Sequence, residues 1–450
     1  MGVRQDDPRR QGTTVTKGYQ TKDAGVRDAR ELAVPEQVSV VMADLAQDLR
    51  EGLLGLAVGA GLQVMSALMD ADVTALAGPR GRHDPNRAAV RHGTETGSVT
   101  LGGRRVGVQR PRVRAVDGSG ELAVASYELF SSTEVLGRMA MERMLAGLST
   151  RRYPSGLEPV GDRVMKTATA TSKSAVSRRF VKMTETALGD LLAADLSGVD
   201  LVALMVDGVH FAESCCVVAL GIDIDGVKHP LALVEGSTEN ATLVTELCVG
   251  LRERGLDVTK PILAVLDGSK ALHRAVVDVF DHPVMARCQL HKMRNVRDHL
   301  PERLKGPVEQ QMRAAYRAES ALEAQAQLNA LARELDKTHP SAAVSLREGL
   351  TETLTVLTLG VPPTLARTLR STNAIESMIG ICREHAKNVK HWRDGKMAMR
   401  WCAAGMIEAS RQFRRVNGHL HIPALRAALE RHVAEQNVSP ERQDENVNAA

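Results

Sequence analysis

Residues 201–236 read LVALMVDGVHFAESCCVVALGIDIDGVKHPLALVEG and contain three apolar runs separated by short polar turns. Asp225-Gly226 is a favourable hairpin turn, so this stretch predicts three consecutive β-strands. Residues 239–300 then alternate helical periodicity with two more apolar runs, PILAVLDG at 261–268 and PVMARCQL at 283–290. Continuous apolar runs of this length are typical of buried parallel strands. The predicted order across 201–300 is therefore βββαβαβα.

This order fits an α/β, RNase H-like core, in which a mixed five-stranded sheet carries helices on its faces. The first and fourth strands of such a sheet are parallel neighbours, about 4.8 Å apart. Asp207 ends the first predicted strand and Asp267 ends the fourth. We therefore expect the two carboxylates to face a common point, at the edge of the sheet where α/β proteins bind their ligands.

The helical sequence after residue 300 adds a third carboxylate. An all-α segment is predicted from 301 to Pro362-Pro363, and Glu376 then lies in the first turn of another predicted helix. Three carboxylates brought together repel one another and have raised pKa values, and a hard cation such as Mg²⁺ relieves that repulsion. Each residue also has a structural interpretation, because Asp-Gly is a common turn dipeptide and Asn373-Ala-Ile-Glu376 resembles a capping box.

The composition is that of a folded protein of two or three domains, since 43% of the 450 residues are apolar and 25% are charged. Six cysteines without a CxxC pair exclude a disulfide scaffold and a zinc ribbon.

The N-terminal residues lack the apolar core of a secretory signal, which predicts a cytoplasmic protein. The longest uncharged run, Gly52 to Met69, has 18 residues. Because a membrane span needs ~20 apolar residues, this run predicts a buried helix and no membrane partner.

Positive charge is concentrated near the N-terminus. Between Arg80 and Arg114 nine arginines stand against two acidic residues, a local net charge of +7, whereas the whole chain carries +4. The alternation in GSVTLGGRRVGVQRPRVR (97–114) predicts a β-hairpin with one basic face. Such a face can neutralise DNA phosphates, and a solvated, arginine-rich edge strand is the alternative. The predicted DNA contacts on this hairpin are Arg104, Arg105, Arg110 and Arg112.

A second basic group lies in TSKSAVSRRFVKMTETALGDLL (171–192), where apolar residues recur at helical spacing behind a Thr171 or Ser172 cap. A predicted helix at 134–148 and a turn-rich segment precede it. This arrangement resembles a helix-turn-helix reader of DNA, although short helices with a basic face are also common on protein surfaces. The predicted DNA contacts on this helix are Lys173, Arg178, Arg179 and Lys182.

Five motifs together resemble the bacterial insertion-sequence transposases of the Mutator-like superfamily. They are VDGVHF (206–211), VALGIDIDGVKHPLALVEGSTEN (218–240), ILAVLDGSKAL (262–272), ARCQLHKMRNV (286–296) and STNAIESM (371–378). The resemblance keeps this order from about residue 201 to residue 406. The upstream helices and the basic hairpin are similar to the N-terminal region of that family more loosely.

The resemblance implies a DNA transposase that binds terminal inverted repeats, cleaves a phosphodiester at each end of its element and joins the freed 3′-hydroxyl to target DNA. It implies an aspartate–aspartate–glutamate triad of Asp207, Asp267 and Glu376. These carboxylates would hold two Mg²⁺ ions, for which Mn²⁺ can substitute, with Asp207 bridging both. Because the two ends must be held together, a homodimer or larger assembly on double-stranded DNA is expected.

The same resemblance implies a helical insertion at 301–365 and a Cys288–His291 signature near the site. Two ligands make a poor zinc site. Cys288 and His291 are therefore interpreted as organising the site or its DNA, with a core cysteine and a helix-terminal histidine as the alternative. Basic residues on the flanking helices are candidate phosphate contacts, with solvated faces as the alternative: Lys292, Arg294, Lys387, Lys390 and Arg393.

The sequence thus predicts a mainly helical N-terminal DNA-binding region, a catalytic core interrupted by an all-α insertion, and polar tails. The predicted boundaries are a disordered tail at 1–33, the helical region with its hairpin at 34–130, a helix-turn-helix-like region at 131–200, the core at 201–300 and 366–435, the insertion at 301–365 and a disordered tail at 436–450. A bacterial, nucleoid-associated protein is expected. The competing functions are an RNase H-like nuclease without strand joining and an inactive DNA-binding regulator.

Overall fold

The computed structural model describes residues 36–447, apart from 83, 159, 161 and 237–239. The predicted N-terminal tail at 1–33 lies outside the described residues. The N-terminal part consists of α1 (Glu36–Ala77), β1 (Ala89–Leu101), β2 (Arg104–Ala115), β3 (Glu121–Leu122) and α2 (Ala125–Ser131).

The predicted hairpin is confirmed. β1 and β2 pair antiparallel, and Leu101 lies opposite Arg104 across the turn formed by Gly102 and Gly103. Both glycines have positive φ angles, 54° and 76°. A tight turn of this kind favours glycine, because a side chain is strained in that conformation.

The predicted burial of the uncharged run Gly52–Met69 is not observed. The run is helical within α1, but Leu53, Val64 and Leu68 are 66%, 58% and 46% exposed. The first fully buried side chain in the described part of α1 is Met69, which packs in a small core with the hairpin. The hairpin therefore covers only the C-terminal turns of this long helix. In the part of the chain that the structure describes, no helix combines the length and the apolar composition of a membrane span.

Helices of 4 to 21 residues connect the hairpin to the sheet. They are α3 (Glu134–Leu145), a 3₁₀ turn (Tyr153–Gly156), α4 (Asp162–Met165) and α5 (Lys173–Ala193). α5 begins where the sequence predicts, since the Ser172 hydroxyl accepts a hydrogen bond from the Ala175 amide at 3.4 Å.

The predicted order βββαβαβα is confirmed. The elements are β4 (Leu201–Phe211), β5 (Ser214–Asp223), β6 (Lys228–Gly236), α6 (Ala241–Glu253), β7 (Ile262–Leu266), α7 (Lys270–Val279), β8 (Pro283–Arg287) and α8 (Gln289–Asp298). The strands form one mixed sheet in the spatial order β6-β5-β4-β7-β8. β4 runs antiparallel to β5 and parallel to β7, so the first and fourth strands are parallel neighbours as expected.

The segment that follows α8 is helical, as predicted. It contains α9 (Glu302–Ala315), α10 (Ala321–Asp336), α11 (Pro340–Arg347), α12 (Leu350–Thr358) and α13 (Pro363–Leu369). Helices α9 to α12 share a core of their own, to which α8 contributes Met293 and Val296. α8 therefore links the helical segment to the sheet.

Three helices complete the chain: α14 (Asn373–Ala386), α15 (Gly395–Arg411) and α16 (Ile422–Val447). α16 continues to Val447 and so includes most of the predicted tail at 436–450.

The two faces of the sheet have separate cores. Successive side chains of a strand point to opposite faces, so Ala203 and Met205 of β4 face one side and Leu204 and Val206 face the other. The first pair packs with apolar residues of α5, α14, α15 and α16. The second pair packs with those of α6 and α7. The face on which a strand residue lies therefore decides which helices it meets.

Candidate active site

Two aspartates lie close together, Asp207 within β4 and Asp267 directly after the end of β7. The parallel register pairs Met205 with Val265, and continuing it by two residues places Asp207 opposite Asp267. Asp207 keeps the alternation of Met205 along β4, so its side chain points to the α14 side of the sheet, and the negative charge of Asp267 acts on it there.

The sequence predicts that Asp207 ends its strand, but the residue lies within β4. β4 continues in its pairing with β5 as far as Phe211, whereas its pairing with β7 stops at Met205. The aspartate is therefore held by a strand on one side and open towards the Asp267 loop on the other.

Glu376 approaches the same side of the sheet from the first turn of α14. The following helical residues Met378 and Ile379 are buried in the core on that face, which fixes the orientation of the helix. The Glu376 carboxylate accepts a hydrogen bond from the Thr372 hydroxyl at 2.7 Å. The α14 N-terminus has no side-chain cap, so the capping-box interpretation of Glu376 is wrong.

The pKa of Asp207 responds to both of the other carboxylates. Burial raises the pKa of Asp207 to about 6, and the negative charges of Asp267 and Glu376 act in the same direction. The hydrogen bond from the Gly208 amide and the nearby His291 lower this pKa but do not offset the rise. Among the described residues, neither aspartate forms an ion pair with a basic side chain.

This donor set fits a divalent cation with a preference for oxygen. A buried carboxylate without a basic partner is destabilised when it ionises, and two further carboxylates increase that effect. Hard cations such as Mg²⁺ bind clustered carboxylates and retain some of their water. The residues that would hold the ion are Asp207, Asp267 and Glu376.

Thr372 contacts Cys288, His291 and Glu376. The Cys288 sulfur accepts from the Thr372 amide at 3.4 Å, and His291 Nε2 lies 3.7 Å from Glu376 Oε1. Burial opposes ionisation of the Cys288 thiol, but hydrogen bonds from His291 and Thr372 outweigh it and lower the pKa of that thiol. The hydrogen bond with Cys288 raises the pKa of His291.

These contacts suit a positioning role for the Cys288–His291 pair. Ligand atoms of Cys288, His291 and Glu376 lie within 4.8 Å of one another. The structure therefore adds Glu376 as a third potential metal ligand to the two that the sequence suggests. A structural zinc site takes four ligands, and here the fully buried Cys288 sulfur already accepts from Thr372 at the start of α14. The sequence motif STNAIESM contains Thr372 but gives no sign of its contacts with Cys288 and Glu376.

Arg287 supports the loop that carries Asp267. Its side chain is only 7% exposed and its guanidinium donates to the Glu348 carbonyl at 3.1 Å. It also packs against Gly268, where an added Cβ would lie 2.2 Å from Arg287 Nε. Gly268 has a φ of 104°, so the loop directly after Asp267 is held between β8 and the helical segment. Sequence reasoning missed this contact, because Arg287 and Glu348 are far apart along the chain.

The predicted contacts on the hairpin are mostly engaged within the protein. Arg104 is 3% exposed and donates to the Glu158 carbonyl at 2.7 Å, which makes it a structural residue and not a surface contact. Arg105 donates to the carbonyls of Ser98 and Ser131. Arg110 and Arg112 form ion pairs of 2.8 to 3.4 Å with Glu95 and Glu121.

Lys292 is also not where the sequence predicts. It is fully buried on α8, donates to the Ser345 carbonyl and lies 3.9 Å from Glu348 Oε2. Burial lowers the pKa of Lys292 to about 8. This lysine therefore joins α8 to the helical segment, whereas Arg294 two residues later is exposed.

The remaining predicted contacts come together from two distant parts of the chain. A groove of about 910 Å³ is lined by Lys173, Arg178 and Lys182 of α5 and by Lys390 and Arg393 after α14, with Glu185 as the acidic member of its lining. The five basic side chains are exposed. Two further predicted residues of the same segments lie outside the lining: Arg179 donates to the Ala170 carbonyl, and Lys387 pairs with Glu384.

Comparisons with known proteins identify the family of the chain. The family model described as transposase, Mutator family, matches residues 39–416. The transposase for insertion sequence element IS6120 of Mycolicibacterium smegmatis is 29% identical over 252 residues, which cover 55% of this chain and 75% of that protein. The transposase for element ISRM5 of Rhizobium meliloti is 25% identical over 369 residues, 81% of this chain and 90% of the relative. The transposase for IS256 in transposon Tn4001 of Staphylococcus aureus is 23% identical over 334 residues, which cover 72% of this chain and 82% of that protein. The chain belongs to the Mutator family of transposases.

Proposed function

We propose that this transposase binds the terminal inverted repeats of its own element, cleaves a phosphodiester at each end and transfers the freed strands to target DNA. The observation that carries the proposal is the convergence of Asp207, Asp267 and Glu376 on one face of the sheet, with the pKa of Asp207 raised to about 6. A protein that only binds DNA gains nothing from clustered carboxylates, because they repel the phosphates that it must hold.

The catalytic core is proposed to be RNase H-like. The spatial order β6-β5-β4-β7-β8, with the first strand central and the third at an edge, supports this assignment. Asp207, Asp267 and Glu376 would hold two Mg²⁺ ions. When bound, such ions activate a water or a 3′-hydroxyl and stabilise the leaving oxygen at phosphorus. The Cys288, His291 and Thr372 contacts hold Glu376 in place, and Arg287 holds the loop of Asp267.

DNA is proposed to lie in the groove between α5 and the segment after α14. Five exposed basic side chains from two parts of the chain line that groove, and Arg294 on α8 adds positive charge beside His291. Double-stranded repeat ends are the proposed ligand, and a dimer or larger assembly would hold two ends together.

A cleavage and joining assay separates this function from its competitors. Purified protein is incubated with Mg²⁺ and labelled DNA from the two flanks of the encoding gene, together with a supercoiled target plasmid. Joined products support the transposase function proposed here. Cleavage without joining would identify a nuclease, and binding without either product would identify an inactive regulator.

The groove makes a quantitative prediction for DNA binding. Arg178→Ala/Lys182→Ala should weaken the affinity for a labelled repeat-end duplex and reduce the slope of log K against log[NaCl] by roughly 0.9 for each phosphate that the protein no longer neutralises. Lys387→Ala is the matched control, because Lys387 pairs with Glu384 and does not line the groove. An unchanged slope in the double variant would show that α5 does not contact phosphates.

A further inference from the structure

A second basic cavity lies on the side of the helical segment. It has a volume of about 220 Å³ and is lined by four arginines, Arg313 and Arg317 near the end of α9 and Arg367 and Arg370 at α13. None of these four was singled out by the sequence, because the pairs are some 50 residues apart and neither forms a dense basic run.

The positive charge in this cavity is largely uncompensated. Arg313 pairs with Glu309 at 2.6 Å. Within the described part of the chain, Arg317, Arg367 and Arg370 have no carboxylate within ion-pair distance. Burial lowers the pKa of Arg370, and so do the neighbouring arginines Arg317, Arg367 and Arg313. Like charges held together without acidic partners are stabilised by an anion.

The cavity adjoins the proposed active site. The backbone carbonyl of Arg370 accepts a hydrogen bond from the backbone amide of Gln289 at 2.9 Å. Gln289 directly follows Cys288 in the chain. Asn373, which also lines the cavity, lies one helical turn before Glu376. The N-terminus of the 14-residue helix α14 faces this region and adds a partial positive charge.

The size of the cavity indicates what kind of anion it takes. Pockets that enclose a whole small-molecule ligand measure roughly 300–1,000 Å³, and this one is smaller. Arginine forks match the oxygens of a phosphate and bind it through charge-assisted hydrogen bonds. One phosphate group of a larger ligand therefore suits the cavity better than a complete cofactor does.

We propose that this arginine cavity binds a backbone phosphate of the DNA, close to the phosphodiester that reacts. The inference rests on the proposed function, since it takes DNA as the ligand at Asp207, Asp267 and Glu376. It assigns the helical segment a direct role: α9 and α13 hold the DNA strand while the carboxylates face the reacting phosphate.

The test measures DNA binding without metal, so that it does not depend on catalysis. Arg317→Ala/Arg367→Ala removes two exposed side chains, and Arg333→Ala on α10, outside the cavity, is the matched control. We expect the double variant to bind a labelled repeat-end duplex roughly 10- to 100-fold more weakly at low salt and to reduce the salt slope by about 0.9. Arg370→Ala should act in the same direction. The control should match the wild type.

A scan of neutral methylphosphonates along the same duplex locates the contact. In the wild type, one substitution near the cleavage point should weaken binding, and in the double variant the same substitution should have no further effect. An unchanged salt slope together with an unchanged methylphosphonate profile in the double variant would overturn the inference. Reduced joining by the double variant without any change in its DNA binding would also overturn it, because that result would indicate a protein partner. Failure of the wild type to cleave or join DNA would count against the proposed function instead, and it would leave the binding comparison valid.

Discussion

Asp207→Asn is expected to abolish Mg²⁺-dependent cleavage, with a loss of at least about 10³-fold, because metal ions stabilise the transition state by several kcal/mol. Asparagine keeps the size of the side chain and an oxygen that can accept from the Gly208 amide, so the fold should be retained. Binding of repeat-end DNA should remain close to that of the wild type. Asp225→Asn, in the exposed turn between β5 and β6, is the matched control. Retained cleavage by a clean preparation of Asp207→Asn would rule out Asp207 as a metal ligand.

The same variant should be more stable than the wild type when metal is removed. Burial and the neighbouring carboxylates raise the pKa of Asp207 from 3.8 to about 6 in the folded protein. The folded state therefore binds more protons than the unfolded state between these values, and the wild type loses stability as the pH rises through this window. Above about pH 7 the difference in the free energy of unfolding should reach about 2–3 kcal/mol in favour of asparagine.

Denaturant unfolding in EDTA at a series of pH values checks this expectation. The two proteins should have equal stability near pH 4 and diverge as the pH rises, and added Mg²⁺ should stabilise the wild type alone. Parallel pH profiles would mean that Asp207 is not held in a destabilising cluster of carboxylates.

Gly268→Ala is expected to reduce cleavage by about 100-fold or more, since small displacements of catalytic groups have effects of that order. The new Cβ would lie 2.2 Å from Arg287 Nε and 2.4 Å from Arg287 Cζ. Arg287 has little room to move away, because it is buried and donates to Glu348. The Asp267 loop must therefore shift, while binding of repeat-end DNA should change little.

Gly360→Ala provides the control for backbone strain. Gly360 also has a positive φ, 63°, but an added Cβ there meets nothing within 4 Å. Both variants place an alanine at a positive φ, and only in Gly268→Ala does the new Cβ also meet Arg287. Equal activities of the two variants would show that Arg287 does not position Asp267.

The sheet and the pair of aspartates could be predicted because their signals are local. Apolar runs, the Asp225-Gly226 turn and helical periodicity give the order of elements, and parallel pairing of the first and fourth strands then brings Asp207 and Asp267 to one edge. The predicted end of β4 is wrong, because the pattern does not show that pairing with β5 continues after pairing with β7 stops.

Contacts between distant segments could not be predicted in the same way. A basic residue looks alike in the sequence whether it is buried or exposed, so the sequence predicts Arg104 and Lys292 at a DNA surface although both are buried. Likewise, the link from Cys288 to Thr372 and the grouping of the four cavity arginines depend on how α8, α9, α13 and α14 pack.

The most direct test of the central claim compares the wild type with Glu376→Gln in the Mg²⁺-dependent cleavage and joining assay on the DNA that flanks the encoding gene. Glutamine keeps the length of the side chain and an acceptor for the Thr372 hydroxyl, and it removes the charge that would bind metal. We predict joined products from the wild type and neither cleavage nor joining from the variant, with equal binding of DNA. Equal activity of the two proteins would contradict the triad, reduce Glu376 to a structural residue of α14 and require the third carboxylate to lie elsewhere.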